Sequence, residues 1–307
     1  DKPVKPGWPF MPANADLRGG AIDAFANWLT TPENPMFARV AVNRLWQWHF
    51  GEGLQKAASD FGNLGGTPSN PQLLDWLASE FVAKGFDMKA MQRLMVTSDA
   101  YKMSSEEDPA LMTANNKIDP QNTDLWRFRL ERLEAEPLWD SILSAAGTLD
   151  TTVGGASFAL GGGGAQPRRG GRGGGQTAQS TNRRGAYMTR GFSPSADVTP
   201  VFLQAFDVDD GRVPCPMRTQ TVTAPQGLFM MNGEEVDAAS AKLATRVMKD
   251  AGGNLKSAVD EAYRITVNRP PVPSEEDLAL SYLKDDPERM KNLAWLLFNL
   301  DEFLFVR

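Results

Sequence analysis

The chain has 307 residues, 41% of them hydrophobic and 23% charged, a usage that excludes a wholly disordered or fibrous protein. Its 38 acidic and 32 basic side chains leave a net charge of −6 and a pI near 5.1, which disfavours nucleic acid or anionic lipid as a partner of the whole chain. One histidine, His49, and one cysteine, Cys215, exclude internal disulfides, Cys-x-x-Cys-His haem attachment and multi-histidine metal sites, so neither metal nor cofactor is expected in this chain.

The opening segment holds Pro3, Pro6, Trp8, Pro9, Phe10 and Pro12, and is expected as an extended strap. It has no apolar signal-peptide core, and its abrupt start predicts a fragment or processed chain whose targeting signal lies elsewhere. Ile22, Phe25, Ala26 and Leu29 recur at helical spacing and predict an amphipathic helix from Asp16 that ends near Thr30.

Asn34 before Pro35 supplies a helix cap and a first-turn proline, so a second helix is predicted over 36–50, stopped by Gly51. Asn70 and Pro71 repeat that signal ahead of Leu73, Leu74, Leu77 and Phe81, with Gly85 as the stop. A fourth helix is expected around Met91, Leu94, Met95 and Ser98, and a fifth over 137–146, closed by Gly147.

Residues 151–181 break the pattern, because 161–164 and 168–175 hold no apolar side chains to offset the entropy of ordering. A mobile Gly/Arg-rich insertion is expected there. Its arginines suggest RNA binding, but the acidic body makes a linker the preferred reading. Beyond it, 185–190 and 201–206 predict a small strand pair.

Helical spacing returns in Val236, Ala239, Leu243 and Val247, then in Leu255, Ala258, Val259 and Ala262. Ser274 with Asp277 reads as a capping box, and Met290, Leu293, Leu297 and Leu300 mark the last helix. The most apolar stretch, 293–298, is far shorter than the roughly 18 to 20 residues of a membrane span and is followed by Asp301 and Glu302. The fold class expected is mainly α, with two helical lobes, 1–150 and 185–307, joined around the insertion 151–184.

Several strings together resemble one family. Asn34-Pro-Met-Phe-Ala-Arg-Val-Ala-Val-Asn-Arg-Leu-Trp-Gln-Trp-His-Phe-Gly-Glu-Gly-Leu, Leu94-Met-Val-Thr-Ser-Asp-Ala-Tyr, Arg129-Leu-Glu-Arg-Leu-Glu-Ala-Glu and Arg218-Thr-Gln-Thr-Val-Thr-Ala-Pro-Gln-Gly-Leu-Phe-Met-Met-Asn resemble the PSD1 domain (DUF1553) of planctomycete-type cytochrome c proteins. The resemblance implies a place near the C-terminal end of larger exported proteins, beside c-type cytochrome and DUF1549-type domains. It further implies an extracytoplasmic location, in the periplasm or at the cell surface, with haem c carried by a neighbour or partner. It brings no catalytic residues.

The side chains with chemical potential each have a plainer explanation. His49 at a helix C-terminus could carry a proton or face a partner, but packing beside Trp46 with a backbone hydrogen bond suffices. Arg39 and Asn43 share a helix face and could hold a carboxylate or haem propionate, or pair with Glu131, Glu134 and Glu136. Those glutamates alternate with Arg127, Arg129 and Arg132, which predicts neutralised pairs rather than an acid and base for glycoside hydrolysis.

Cys215 has no nearby base to make it a nucleophile. Arg218, Thr219, Thr221 and Gln226 form a donor-rich run that reads as a polar binding surface or as caps for the helix entering at Pro225. No catalytic residue is assigned. The expected role is a non-catalytic interaction domain docking in electron transfer; the alternative is a carbohydrate-active enzyme acting on polysaccharide through carboxylates such as Asp207 and Glu134.

Overall fold

The computed structural model describes residues 7–8, 11–12, 18–31, 34–62, 64–106, 108–160, 181–193, 196–197, 199–209, 211, 215–218, 220–284 and 286–306. The chain is mainly helical and divides into two compact units, Asp1–Arg129 with Arg307, and Leu130–Val306. The boundary falls before the fifth predicted helix instead of near 150. That helix carries Leu138, Trp139 and Ile142 into the hydrophobic core of the second unit, which is what draws it across.

The first unit contains α1 (Ala21–Leu29), α2 (Pro35–Phe50), α3 (Pro71–Ala83), α4 (Met88–Val96), α5 (Asp99–Lys102) and α6 (Pro109–Ile118). Asn34 caps α2 by accepting from the backbone N–H of Met36 and Phe37, and Asn70 caps α3 by accepting from Leu73. α2 lays Val42, Leu45 and Phe50 against Leu74, Leu77 and Phe81 of α3 and Met91 and Met95 of α4.

The first helix differs from its expected face. Ile22 is 83% exposed, and the half-buried positions are Ala21, Ala24, Trp28 and Leu29, because Trp8 packs beside Phe25 and Trp28 at ring separations of 5.3 and 5.9 Å. Most of the expected strap lies outside the described residues. α6 had the Asp108-Pro109 start signal but no apolar periodicity, since none of its side chains is buried.

The second unit holds α7 (Ala135–Ala145), α8 (Val201–Ala205), α9 (Ala224–Asn232), α10 (Glu234–Asp250), α11 (Leu255–Val267), α12 (Pro273–Leu283), α13 (Met290–Phe298) and α14 (Asp301–Leu304). α10 buries Val236, Ala239, Leu243 and Val247 on one stripe, and its core partners include Met290, Leu293, Ala294 and Leu297 of α13. Each of the valine, leucine and methionine side chains among them contributes roughly 1.5 to 3 kcal/mol by leaving water. α12 starts at Pro273 with Glu275, not Asp277, reaching back to accept from the Val272 N–H at 2.8 Å.

Two short antiparallel pairs accompany these helices. β1 (Glu131–Arg132) pairs with β4 (Phe305–Val306), and β2 (Phe192–Ser193) with β3 (Ala196–Asp197). The expected strand segments behave differently: 185–187 form a 3-10 turn, and 201–205 form the short helix α8, whose aromatic and aliphatic side chains Phe202 and Leu203 enter the core. Periodicity over so few residues does not separate the two conformations.

The expected mobile insertion falls largely on 161–180, outside the described residues, but both its roots are built into the second unit. Arg183 donates to the carbonyl oxygens of Thr152 and Ala156 and contacts that of Gly154, and its guanidinium lies 3.9 Å from the centre of the Tyr187 ring. Asp140 accepts from Arg184 at 2.9 Å and from the Gly185 N–H at 2.6 Å.

Candidate functional site

The richest polar cluster lies in the second unit and is assembled from β1, the end of α8 and the start of α9. Pairing with β4 fixes Arg132, which is only 6% exposed. α8 ends with Asp207 in the left-handed region at φ 66°, which turns its carboxylate toward that arginine. Gln226 stands in the first turn of α9, where its side-chain oxygen accepts from the Thr223 N–H at 3.0 Å and its amide nitrogen remains free to donate.

Four donors converge on Asp207. Oδ2 accepts from Arg132 Nη2 at 2.7 Å, from the Thr221 N–H at 2.9 Å and from Gln226 Nε2 at 3.2 Å, and Oδ1 accepts from the Thr221 hydroxyl at 2.7 Å. Three of these donors crowd Oδ2 and one reaches Oδ1, so most of the carboxylate's roughly four lone-pair positions are engaged. Burial alone would raise the Asp207 carboxyl, but the two Thr221 hydrogen bonds and the Arg132 charge outweigh it and hold the group below the ordinary carboxylate range.

Arg132 is equally committed. It donates through Nη1 to Leu133 O at 2.8 Å and through Nε to Thr221 O at 3.2 Å, and it lies 5.0 Å from the Phe206 ring centre. Beside this group, Arg218 Nη1 and Nη2 grip Glu136 Oε2 and Oε1 at 2.6 and 2.9 Å, and Nη1 also reaches Glu134 Oε2 at 2.8 Å. Burial pushes the Glu136 carboxyl up, yet the Arg218 bonds prevail and lower it, while Glu136 raises Arg218.

The neutralised pairs expected for Glu134 and Glu136 form with Arg218 in place of the interleaved arginines. Arg132 takes Asp207, and Arg129 takes Glu52 of the first unit at 3.0 Å. Sequence reasoning named Arg218, Thr221 and Gln226 but missed Arg132 as their companion, and weighed Asp207 only as a catalytic acid. Thr219 lies outside the described residues.

Arg39, Asn43, Trp46 and His49 all stand on α2 in the first unit, where each has a local partner. Arg39 Nε donates to Asp75 at 2.7 Å, which replaces the expected pairing with the glutamates. Asn43, fully buried, accepts from the Gln55 N–H at 2.8 Å and donates to Gln55 O at 3.0 Å, tying the following loop to the helix.

A side chain at Gly53 would place its Cβ 2.7 Å from Asn43 Nδ2 and 2.8 Å from Gln55 O, so glycine is required for this close approach. His49 Nδ1–H donates to Leu45 O at 2.7 Å, its ring 6.1 Å from Tyr101, and Trp46 stacks on Phe50 at 4.0 Å. The backbone hydrogen bond of His49 is the one its plainer reading expected, but its ring neighbour is Tyr101 in place of an indole. Trp48 and Trp76, in contrast, are 66% and 49% exposed. Cys215 is exposed, its Sγ donating to Met217 O at 3.2 Å.

No helix among the described residues is long and apolar enough to cross a membrane. Neither the curated proteins nor the solved structures contain a match to the chain. The family model described as PSD1, protein of unknown function (DUF1553), matches residues 23–283, well over half of the chain. The strings around α2, β1 and α9 that suggested this family supply Asn43, Arg132, Glu136, Arg218, Thr221 and Gln226 of these clusters, and the chain belongs to the PSD1 (DUF1553) family.

Proposed function

We propose that the chain is a non-catalytic interaction domain of an exported multidomain protein, docking against c-type cytochrome and DUF1549-type neighbours that carry haem c in electron transfer. The observation that carries this reading is the engagement of Asp207 by four donors, Arg132 among them. A general acid needs a raised pKa and a general base one near the working pH; the Asp207 and Glu136 carboxyls, each held down by an arginine, have the opposite electrostatics. Exposed Trp48 and Trp76 support the docking role, since large aromatic side chains left in water are suited to a partner surface. The extracytoplasmic location belongs to the same proposal and rests on the placement usual for the resembled family.

The test is purification of the native full-length protein with its associated partners, followed by its haem absorption spectrum and identification of what co-purifies. Expected are c-type haem bands in the assembly, and weaker retention of the separately expressed cytochrome-bearing neighbour by this domain when Trp48 and Trp76 are both changed to alanine. A haem-free protein that stands alone and hydrolyses polysaccharide would overturn the proposal in favour of an enzyme.

A further inference from the structure

A second feature of the Leu130–Val306 unit lies on α10, on a row of polar residues next to its buried stripe. Lys242, Thr245, Arg246 and Lys249 line a cleft of about 710 Å3 whose other wall includes Ser144 and Thr151. That volume falls within the range of roughly 300 to 1,000 Å3 in which proteins hold small ligands. The spacing of three, four and seven residues sets the three cations on one helix face, spread over about 10 Å.

The charge of the two lysines is not spent on carboxylates of the described residues, whereas Arg246 is partly committed. Lys256, Arg264, Arg269 and Lys291 of the same unit are each taken by a carboxylate. Among the described residues, Lys242 and Lys249 have no carboxylate within ion-pair distance. The acid lining the cleft is Asp250, 3.9 Å from Arg246 Nε, so three cations against one anion leave an excess of two positive charges. The chain as a whole carries −6, so this concentration runs against its composition.

The wall opposite is fixed. Arg246 Nη1 donates to Ser144 O at 3.0 Å and Ala145 O at 2.9 Å, capping the last carbonyls of α7 and holding the guanidinium in place. Gly147, at φ 71°, turns the chain there, and an added Cβ would stand 3.4 Å from the Arg246 side chain. The α10 macrodipole accounts for a lysine in its last turn, Lys249, but not for Lys242 two turns earlier.

We propose that this cleft binds a small polyanion, a ligand presenting two or more oxyanion groups to Lys242, Arg246 and Lys249, with the hydroxyls of Ser144 and Thr151 available to donate from the other wall. Charge-assisted hydrogen bonds to phosphate, sulfate or carboxylate oxygens supply the recognition, and the exposure of the lysines makes it sensitive to salt. The site is independent of the docking role, which places its contacts on Trp48 and Trp76.

The experiment is calorimetric titration of the full chain with tripolyphosphate and, separately, digalacturonate, which distinguish phosphoryl from carboxylate ligands. Expected is saturable binding of one or both that weakens on raising the salt, with at least a tenfold loss of affinity in Lys242→Glu/Lys249→Glu. A control of equal charge change on the other unit, Lys89→Glu/Lys117→Glu, should stay within twofold of the wild type. All four lysines are exposed, and a melting curve checks each fold. Should the glutamate pair melt early, Lys242→Gln/Lys249→Gln replaces it with the same tenfold expectation. No binding of either polyanion, or an equal loss in the cleft and control variants, would overturn the proposal.

Discussion

The guanidinium of Arg132 and the carboxylate of Asp207 meet at 2.7 Å although 75 residues separate them in the chain. Their side chains are 5% and 21% exposed, so the pair sits where water screens it little. The hydrogen bonds of Thr221 and Gln226 to the same carboxylate make it the junction of three chain segments.

Asp207→Asn should therefore be costly. Asparagine tolerates the left-handed backbone of this position, so the substitution reports the charge and not the turn. Leaving Arg132 nearly buried without its counter-ion is expected to cost about 2 to 4 kcal/mol, toward the lower end for a broken buried pair because part of Asp207 reaches solvent. Equilibrium denaturant unfolding measures it, and a change below about 0.5 kcal/mol, the usual size of a neutral surface substitution, would contradict the junction role.

Arg218 and Glu136 predict a pH dependence. The folded pKa of Glu136 lies below its ordinary value of 4.5, so the pair contributes stability fully above the unfolded pKa and loses it as the pH falls through the depressed folded one. Arg218→Gln should cost about 2 kcal/mol near neutral pH, the worth of hydrogen bonds between charged groups. The gap between wild type and variant should hold above about pH 5 and close on further acidification. Unfolding curves between pH 3 and 7 check it; a gap that widened in acid would reverse the assigned sign.

Asn43 and Gly53 should behave as a coupled pair. Asn43→Ala strands the buried Gln55 N–H and carbonyl and is expected to cost about 2 to 3 kcal/mol. Gly53→Ala is expected to cost about 1 to 3 kcal/mol by overpacking. Together they should cost less than the sum, since removing the Asn43 amide vacates the space that the new methyl enters, although Gln55 O stays close. A double-mutant cycle measures the coupling, and strict additivity would refute the shared contact.

Trp48→Ala tests exposure against function. With 66% of the residue in water, its loss should move the unfolding free energy by no more than about 0.5 kcal/mol. Trp46→Ala, which removes the stacking on Phe50, should instead cost about 3 to 5 kcal/mol, as for a packed aromatic. Thermal melts of the two variants separate them directly.

Helices α2, α3 and α10 were legible from the chain because their information is local. An Asn-Pro start and a glycine stop act within a few residues and the structure keeps them nearly to the residue in α2 and α3, while α10 was legible through its apolar residue every three or four positions. The short segments 185–187 and 201–205 were not legible, since a single turn of chain has no period to read and takes its shape from the core it touches. The polar site was legible in membership and not in pairing: Arg218, Thr221 and Gln226 stood out as donors, but nothing near Arg132 in sequence pointed to Asp207.

By itself, then, the sequence determined the helical class, the positions of its strongest caps and the family of the chain, all properties of contiguous strings. Only the tertiary structure decided which arginine neutralises which acid, where the two units divide and which tryptophans remain in water. The physical reason is that ion pairing and burial depend on distance in space, and for partners as far apart along the chain as Arg132 and Asp207 that distance exists only once the helices have packed.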